Sequence, residues 1–381
     1  MSLPIYLDYA ATTPVDTRVA DKMLKFLTGP GGFGNAASDH ALGAIAKQAV
    51  DAARCQVADL LNAQPNEIVW TSGATEANNL ALKGAASLYK SQGKHIITLK
   101  TEHPAVLECC EYLEKKGFSL TYLSPMKNGI LDLDELKDAI REDTILVSIM
   151  HVNNETGVIQ DIHKIAKLVK SHGALFHVDA AQSAGKLKID LQKTPIDLLS
   201  LTSHKVYGPK GIGALFVRQK PKIKIAAQIH GGRQENGMRS GTLATHQIVG
   251  MGEALSVANL SMQDDFNKLT NLRQKFIDGL NKFTDIKLNA DLNDAYPGIL
   301  NLTVGNRKGK DLIKALSGVC FSIGSACASK GIEPSYVLRS MGQTFDEAGC
   351  AVRFSFGRFT CEKEILEVLR LVEEYIGLPP S

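Results

Sequence analysis

The residues best equipped for chemistry sit in short polar stretches, each just after an apolar run: TSGATEANN (71–79), TEHP (101–104), HVNNETG (151–157), HVDAAQ (177–182) and TSHKVYGPKG (202–211). In the first, Gly73, Ala74 and Thr75 read as a glycine turn entering a helix, whose free N–H groups and positive dipole end suit a phosphate. An ordinary Ser/Thr helix cap looks the same. Asp179 follows the apolar run LFHV, where a carboxylate is costly to desolvate unless a cation answers it; a strand end facing solvent is the plain alternative. Lys205 lies between His204 and a glycine-rich turn, and a lysine in apolar surroundings gains the lowered pKa that Schiff-base chemistry needs. Most lysines simply snorkel to the surface. Singly these signals are weak, but a phosphate cradle, an Asp for a ring nitrogen and a Lys for an aldehyde, in that order, are the three anchors of pyridoxal phosphate.

Other residues join this set with less force. His103 is placed to stack on a ring and carry protons, although a lone His is more often structural. Asn154 and Gln182 either contact the ring oxygen and substrate or satisfy loop backbone. Thr242 in RSGT (239–242) is a further phosphate donor or part of a plain turn. AVRFSFGR (351–358) alternates like a strand and offers Arg353 and Arg358 to a substrate carboxylate; Arg353, inside the strand, is the better placed. SIGSACASKG (322–331) sets Cys327 among small residues with two glycines, a composition unlike a packed element and suited to a nucleophile on a mobile tether.

The elements that position these residues follow from periodicity. Apolar residues Ile45, Ala49, Ala53, Val57, Leu60 and Leu61 recur at three and four, which predicts a helix over 41–62 with Cys55 inside it. Seven strands are expected at 67–71, 95–99, 120–123, 145–150, 175–178, 198–201 and 213–217, alternating with helices and so mostly parallel. The last follows its predecessor too closely for a helical crossover and is expected to be antiparallel. The fold class is therefore α/β, with a mixed, mostly parallel seven-stranded sheet in a large domain (15–262). A smaller α+β domain (1–14 plus 263–381) would carry weaker strands at 299–304 and 351–356 and the cysteine loop at about 321–333.

Composition narrows the function. The 381 residues carry 43 basic against 40 acidic side chains, a net charge of +3, so no basic field argues for direct nucleic-acid binding. No apolar run approaches a membrane span, and MSLPIYLDYAATTP lacks the features of a secretory signal. Seven cysteines without a CxxC pair or zinc-like cluster fit free thiols in a reducing cytoplasm. No intrinsic metal site is expected.

With these motifs in place, the chain closely resembles the group I cysteine desulfurases, the NifS/IscS type of the class V aminotransferase-like family. The likeness runs from YLDYAATTPVD (6–16) through FGNAAS, TSGATE, TEH, SIMHVNNETG, HVDAAQS, HKVYGPKGIGAL, GMRSGT and GSACAS to EPSYVLR and VRFSFGRFT, nearly the whole chain. It implies a type I pyridoxal-phosphate transferase fold, usually a homodimer, that converts L-cysteine to L-alanine and a protein persulfide. Lys205 looks like the Schiff-base lysine, Cys327 like the sulfur acceptor and His103 like the residue stacked on the ring. Asp179 would pair with the pyridinium nitrogen, and Gln182 would face the phenolic oxygen. Ala74, Thr75, Ser203 and His204 would hold the phosphate region, with Thr242 from the other subunit. Asn35, Asn154 and Arg353 look like substrate contacts. The sulfur would serve an iron–sulfur scaffold protein and other acceptors, including tRNA thiolation, and Cys327 would be at most a transient iron–sulfur ligand.

Some departures bear on these expectations. Asn35 is followed by Ala36 rather than proline, Arg233 and Asn236 stand where glycine and arginine are familiar, and TSHK replaces SGHK. The chain ends at IGLPPS, about two dozen residues short of the family's housekeeping enzymes, whose tail helps hold the scaffold; either the sequence is truncated or its scaffold binds differently. The basic run KPKIK (220–224) is a solvated face by default, or a surface that steers an acidic accessory partner. The competing readings are selenocysteine lyase or another pyridoxal-phosphate enzyme of this fold, which would share Lys205 and Asp179, and a non-catalytic sulfur-relay docking subunit.

Overall fold

A single seven-stranded sheet organises the larger part of the molecule. Its strands lie side by side in the order Ile68–Thr71, Gly213–Val217, Leu198–Thr202, Leu175–Asp179, Thr144–Ser148, His95–Leu99 and Ser119–Leu123. Neighbouring pairs are parallel except those made by Gly213–Val217, which runs antiparallel to both its neighbours. Two reversals cancel, so the edge strand Ile68–Thr71 points the same way as the central strands. The computed structural model describes residues 4–29, 31–283, 285–324 and 333–376.

Both faces of the sheet are covered, which explains why its strands read as nearly continuous apolar runs. Val147 and Phe176 face one layer with Trp70, Val50 and Met251, whereas Leu146 and Leu175 face another with Leu80, Leu82 and Val106. The predicted helix is Ala41–Leu61, buried along Gly43, Ala46, Val50, Ala53 and Val57. Ile45 departs from expectation: it is 47% exposed, because the stripe actually used turns it off the core. Cys55 is exposed on this helix, while Cys109 and Cys110 are buried on helix Pro104–Glu114.

Polar groups inside the sheet are paired across strands. His177, fully buried, places Nδ1 2.8 Å from Ser148 Oγ and Nε2 2.9 Å from Ser200 Oγ, bridging three strands. His95 does the same between Thr144 and Thr121 at 2.7 and 2.8 Å. Burial holds both rings below the ordinary imidazole value, His177 down to about 4.

A second core gathers Leu7, Phe276, Leu302, Phe354 and Ile365. Over it lie a three-stranded antiparallel sheet, Ala351–Ser355, Ile299–Val304 and Ile286–Leu288, and the parallel pair Ile5–Tyr6 with Val319–Cys320. Ile286–Leu288 was not anticipated; three residues are too short a run for a periodicity signal. One unbroken helix, Thr245–Leu280, serves both cores, through Ile248 and Met251 at one end and Phe276 and Leu280 at the other. No helix among the described residues is long and apolar enough to cross a membrane.

Two stability predictions follow from this burial. Phe276 is fully buried and packs its ring 5.2 Å from Phe354 and 5.6 Å from Phe356, so Phe276→Ala should lower stability by about 3–5 kcal/mol, read as a reduced urea midpoint. His151 and His177 are both held at about 4 by burial, against 6.5 in an open chain. The unfolded chain then binds more protons between these values, and stability should fall as pH drops from about 6.5 to about 4. Imidazole NMR should find both rings still neutral at about pH 5.5; protonated rings there would contradict the assignment.

Candidate active site

The candidate site forms where the parallel strands end, as an open α/β sheet requires. Loops leaving Thr71, Leu99, Ser148, Asp179 and Thr202 enclose a cavity of about 440 Å³. Ala74, Thr75, His103, Asn154 and Asp179 line it, as do Gln182, His204, Lys205 and Arg353.

At one end, helix Ala74–Tyr89 begins from Gly73, whose φ of +154° lies in the region that favours glycine. Gly213 is equally constrained, since a Cβ there would fall 2.7 Å from Gly73 Cα. The helix start is thereby pressed against the sheet, with its first N–H groups lacking intrahelical acceptors. Glu76 in the first turn is already committed, accepting from Ser72 N–H at 2.7 Å and pairing with Arg239 at 2.8 Å. Ser203, between the lining residues Thr202 and His204, has a buried Oγ with no protein partner. The orphaned hydroxyl, the bare helix start and the glycine packing beneath it fit a phosphate group.

Asp179 is 5% exposed and accepts from Asn78 Nδ2 at 2.7 Å and from the Ala181 N–H at 2.9 Å. Neither partner is a cation, so the site suits a protonated ring nitrogen. His103 caps helix Pro104–Glu114, its Nδ1 accepting from Ala105 N–H at 3.1 Å. That bond places the proton of the neutral ring on Nε2. Burial, with Lys205 acting in the same direction, keeps His103 below its ordinary value; Asp179 works against them. His204 Nδ1 lies 3.1 Å from Thr12 Oγ1, and burial followed by Lys205, Lys210 and Lys186 takes it down to about 4.

Lys205 belongs to a tightly pinned loop. Two residues on, Tyr207 adopts φ +65°, a left-handed conformation that costs a bulky residue energy unless the surroundings enforce it. Thr13 Oγ1 accepts the Tyr207 N–H at 2.8 Å, and the Tyr207 carbonyl accepts the Asp16 N–H at 3.0 Å. The Arg358 N–H donates to the Tyr207 hydroxyl, and the Arg358 guanidinium lies 4.4 Å from the ring centroid. Arg358 is otherwise spent on Asp16 and Asp265, at 3.2 and 2.8 Å.

The two arginines thus part company, since Arg353 lines the cavity and Arg358 secures the lysine loop. Arg353 is 2% exposed, donating from Nη1 to Asn154 O and from Nη2 to Asp8 Oδ1, both at 2.7 Å. Its Nε and the neighbouring Asn154 Oδ1 are buried without a protein partner, a donor and an acceptor available to a small amino acid.

Cys327 lies outside the described residues. The residues flanking its stretch are anchored to the site. Ser322 Oγ donates to Asp8 Oδ1 at 2.9 Å, Ser335 Oγ donates to Glu155 Oε2, and Tyr336 OH donates to the Glu102 carbonyl at 2.6 Å. Asn35 and Thr242 are exposed and do not line the cavity of the single chain; the Asn35 carboxamide accepts the Ala37 N–H.

Three contributors escaped the sequence reading: Asn78, Thr12 and Lys186. Asn78 carried a usable signal, because asparagine is unfavourable inside a helix and calls for a partner. Thr12 lies 192 positions from His204 in the chain, and no local pattern joins them.

The aminotransferase class-V family matches residues 5–368. The cysteine desulfurase IscS of Pectobacterium carotovorum is 56% identical over 378 residues, covering 99% of this chain and 94% of that protein. Among solved structures, a NifS-like protein superposes with a TM-score of 0.92 at 35% identity, covering 98% and 99% of the two chains. SspA in complex with cysteine gives 0.84 at 38% identity, over 94% of this chain and all of that one. With the family match spanning nearly its whole length, and with this cavity at the carboxyl edge of its sheet, the chain belongs to the class-V aminotransferase family.

Proposed function

We propose that the protein is a pyridoxal-phosphate-dependent cysteine desulfurase that converts L-cysteine to L-alanine and keeps the sulfur as a persulfide on Cys327. The observation that carries this reading is the 56% identity with a desulfurase across 99% of the chain. The cavity's chemistry supports it, and the structurally similar SspA is seen in complex with cysteine.

The roles divide among this chain's own residues. The start of helix Ala74–Tyr89, with Ser203 and His204, would hold the phosphate, and Thr242 would reach it from a second subunit. Asp179, oriented by Asn78, would keep a proton on the ring nitrogen, while His103 would cover the ring and Gln182 would meet the phenolic oxygen. Lys205 would carry the aldehyde. Bound in this way, pyridoxal phosphate supplies an electron sink that makes the substrate Cα proton removable.

With its amine free, Lys205 would take up and return the substrate Cα proton. Arg353 Nε would bind the substrate carboxylate, with Asn154 and Asn35 as further substrate contacts. Neutral His103, with its Nε2 proton, passes protons between the substrate and enzyme thiols. The Cys327 thiolate forms an S–S bond to the substrate sulfur as the substrate C–S bond breaks. The three-carbon remainder takes up a proton and leaves as alanine, so no external oxidant or reductant is required.

A homodimer agrees with exposed apolar Phe33, Leu42 and Ile45 near Asn35. The division into domains 15–262 and 1–14 plus 263–381 agrees with the separate core around Phe276. Iron–sulfur scaffolds and other sulfur carriers are the acceptors of this reading, and the cytoplasm is its location.

The direct test is peptide mass analysis of the loaded protein after L-cysteine, with alanine assayed in the same sample. A one-sulfur gain on Cys327 together with alanine is expected; alanine without that adduct would contradict the role of Cys327. Arg353→Lys should raise KM for L-cysteine about tenfold or more and change kcat less, because a lysine cannot reproduce the fork.

A further inference from the structure

Gln182 and Lys186 stand four residues apart in the turns that follow Asp179. Lys186 Nζ donates to Gln182 Oε1 at 2.9 Å, and Gln182 Nε2 donates to the Ala10 carbonyl at 2.7 Å. An ammonium has only donors and a peptide carbonyl only accepts, so these partners together decide which end of the amide is oxygen. A flipped amide would set its NH₂ against the ammonium and its oxygen against the carbonyl, losing both bonds inside the protein. Gln182 is 3% exposed, which leaves little water to repair such a loss.

Ala10 borders both the large cavity and a small one of about 20 Å³, whereas Lys186 borders only the small one, with Tyr296 and Tyr207. The amide oxygen is therefore held on the side away from the large cavity that Gln182 lines, which leaves the nitrogen for that cavity. One N–H remains after Ala10 is served.

We propose that Lys186 is a positioning residue that locks the Gln182 amide with its nitrogen toward the cavity, making Gln182 a hydrogen-bond donor to the cofactor's phenolic oxygen. This rests on the pyridoxal-phosphate reading above. The setting of Lys186 is consistent with a dedicated role: its Nζ lies 5.6 Å from the Tyr296 ring centroid, and the charges that act on it are those of Lys205 and Arg353. Burial first, and those two cations next, bring its pKa down to about 7. The ammonium form, which prevails below about pH 7, depends on the Gln182 oxygen and the Tyr296 face for compensation.

The test uses the full chain loaded with pyridoxal phosphate, without substrate, and follows the pH midpoint of its visible absorption band. A donor on the phenolic oxygen favours its anionic form, so Lys186→Met and Gln182→Met should each raise the midpoint by about one pH unit. The double variant should move it no further than either single change, because both remove the same bond. Lys186→Arg, which keeps a donor-only cation, should restore the parental midpoint. Lys186→Gln is carried alongside in case the methionine variant does not fold, and it should shift the same way. An unshifted midpoint in the Lys186 variants would overturn the proposal, as would fully additive shifts, which would mark Lys186 as a remote charge only. Absence of a visible band in the loaded parent protein would instead overturn the pyridoxal-phosphate reading, so the two failures are distinct.

Discussion

A carboxylate buried at the end of a central strand has to be answered by hydrogen bonds and by positive charge, and the rest of the site is arranged around that demand. Asp179 closes the strand Leu175–Asp179, where it is almost wholly removed from water. Asn78 and the Ala181 amide satisfy part of its hydrogen-bonding capacity but none of its charge. The parallel topology brings Lys205, His103, His204 and the helix start at Gly73 to the same edge of the sheet. A phosphorylated pyridinium would complement this arrangement at both ends, its anion toward the bare N–H groups and its cation toward Asp179.

Holding these groups still requires contacts from well beyond the sheet. The loop bearing Lys205 is kept in an unfavourable backbone conformation at Tyr207 by Thr13, Asp16 and Arg358, residues from opposite ends of the chain. Arg353 is oriented by Asp8 and by the Asn154 carbonyl, again joining the amino-terminal segment, the central sheet and the late strand Ala351–Ser355. The same Asp8 accepts from Ser322, while Tyr336 is tied to the residue before His103. Ser322 and Tyr336 are thus hydrogen-bonded to neighbours of Arg353 and His103. Strain stored at Tyr207 is thus sustained by interactions spread over the molecule rather than by its own turn.

Much of this was legible in the chain. Six buried strands announced themselves as apolar runs, the half-buried edge strand Ser119–Leu123 less plainly, and the short connection before Gly213 correctly marked the antiparallel member. The polar stretches after those strands do meet in one cavity, because strand direction fixes where each loop emerges. Ile45 misled because a three-and-four spacing can be drawn along more than one stripe of an alanine-rich helix, and only packing selects between them. Arg353 and Arg358 differ by five positions, and no local rule says that one enters the cavity while the other is consumed by Asp16 and Asp265. Partners of high sequence separation, such as Thr12 with His204 or Ala10 with Gln182, are products of the tertiary fold and leave no mark in either segment alone.

The role proposed for Asp179, holding a proton on a bound pyridine nitrogen, is tested directly by nitrogen NMR of the protein loaded with ring-labelled pyridoxal phosphate. A protonated ring nitrogen is expected in the parent protein at neutral pH, with loss of that signal in Asp179→Asn while the cofactor stays bound. An unprotonated ring nitrogen in the parent, or a protonated one that survives the substitution, would contradict it.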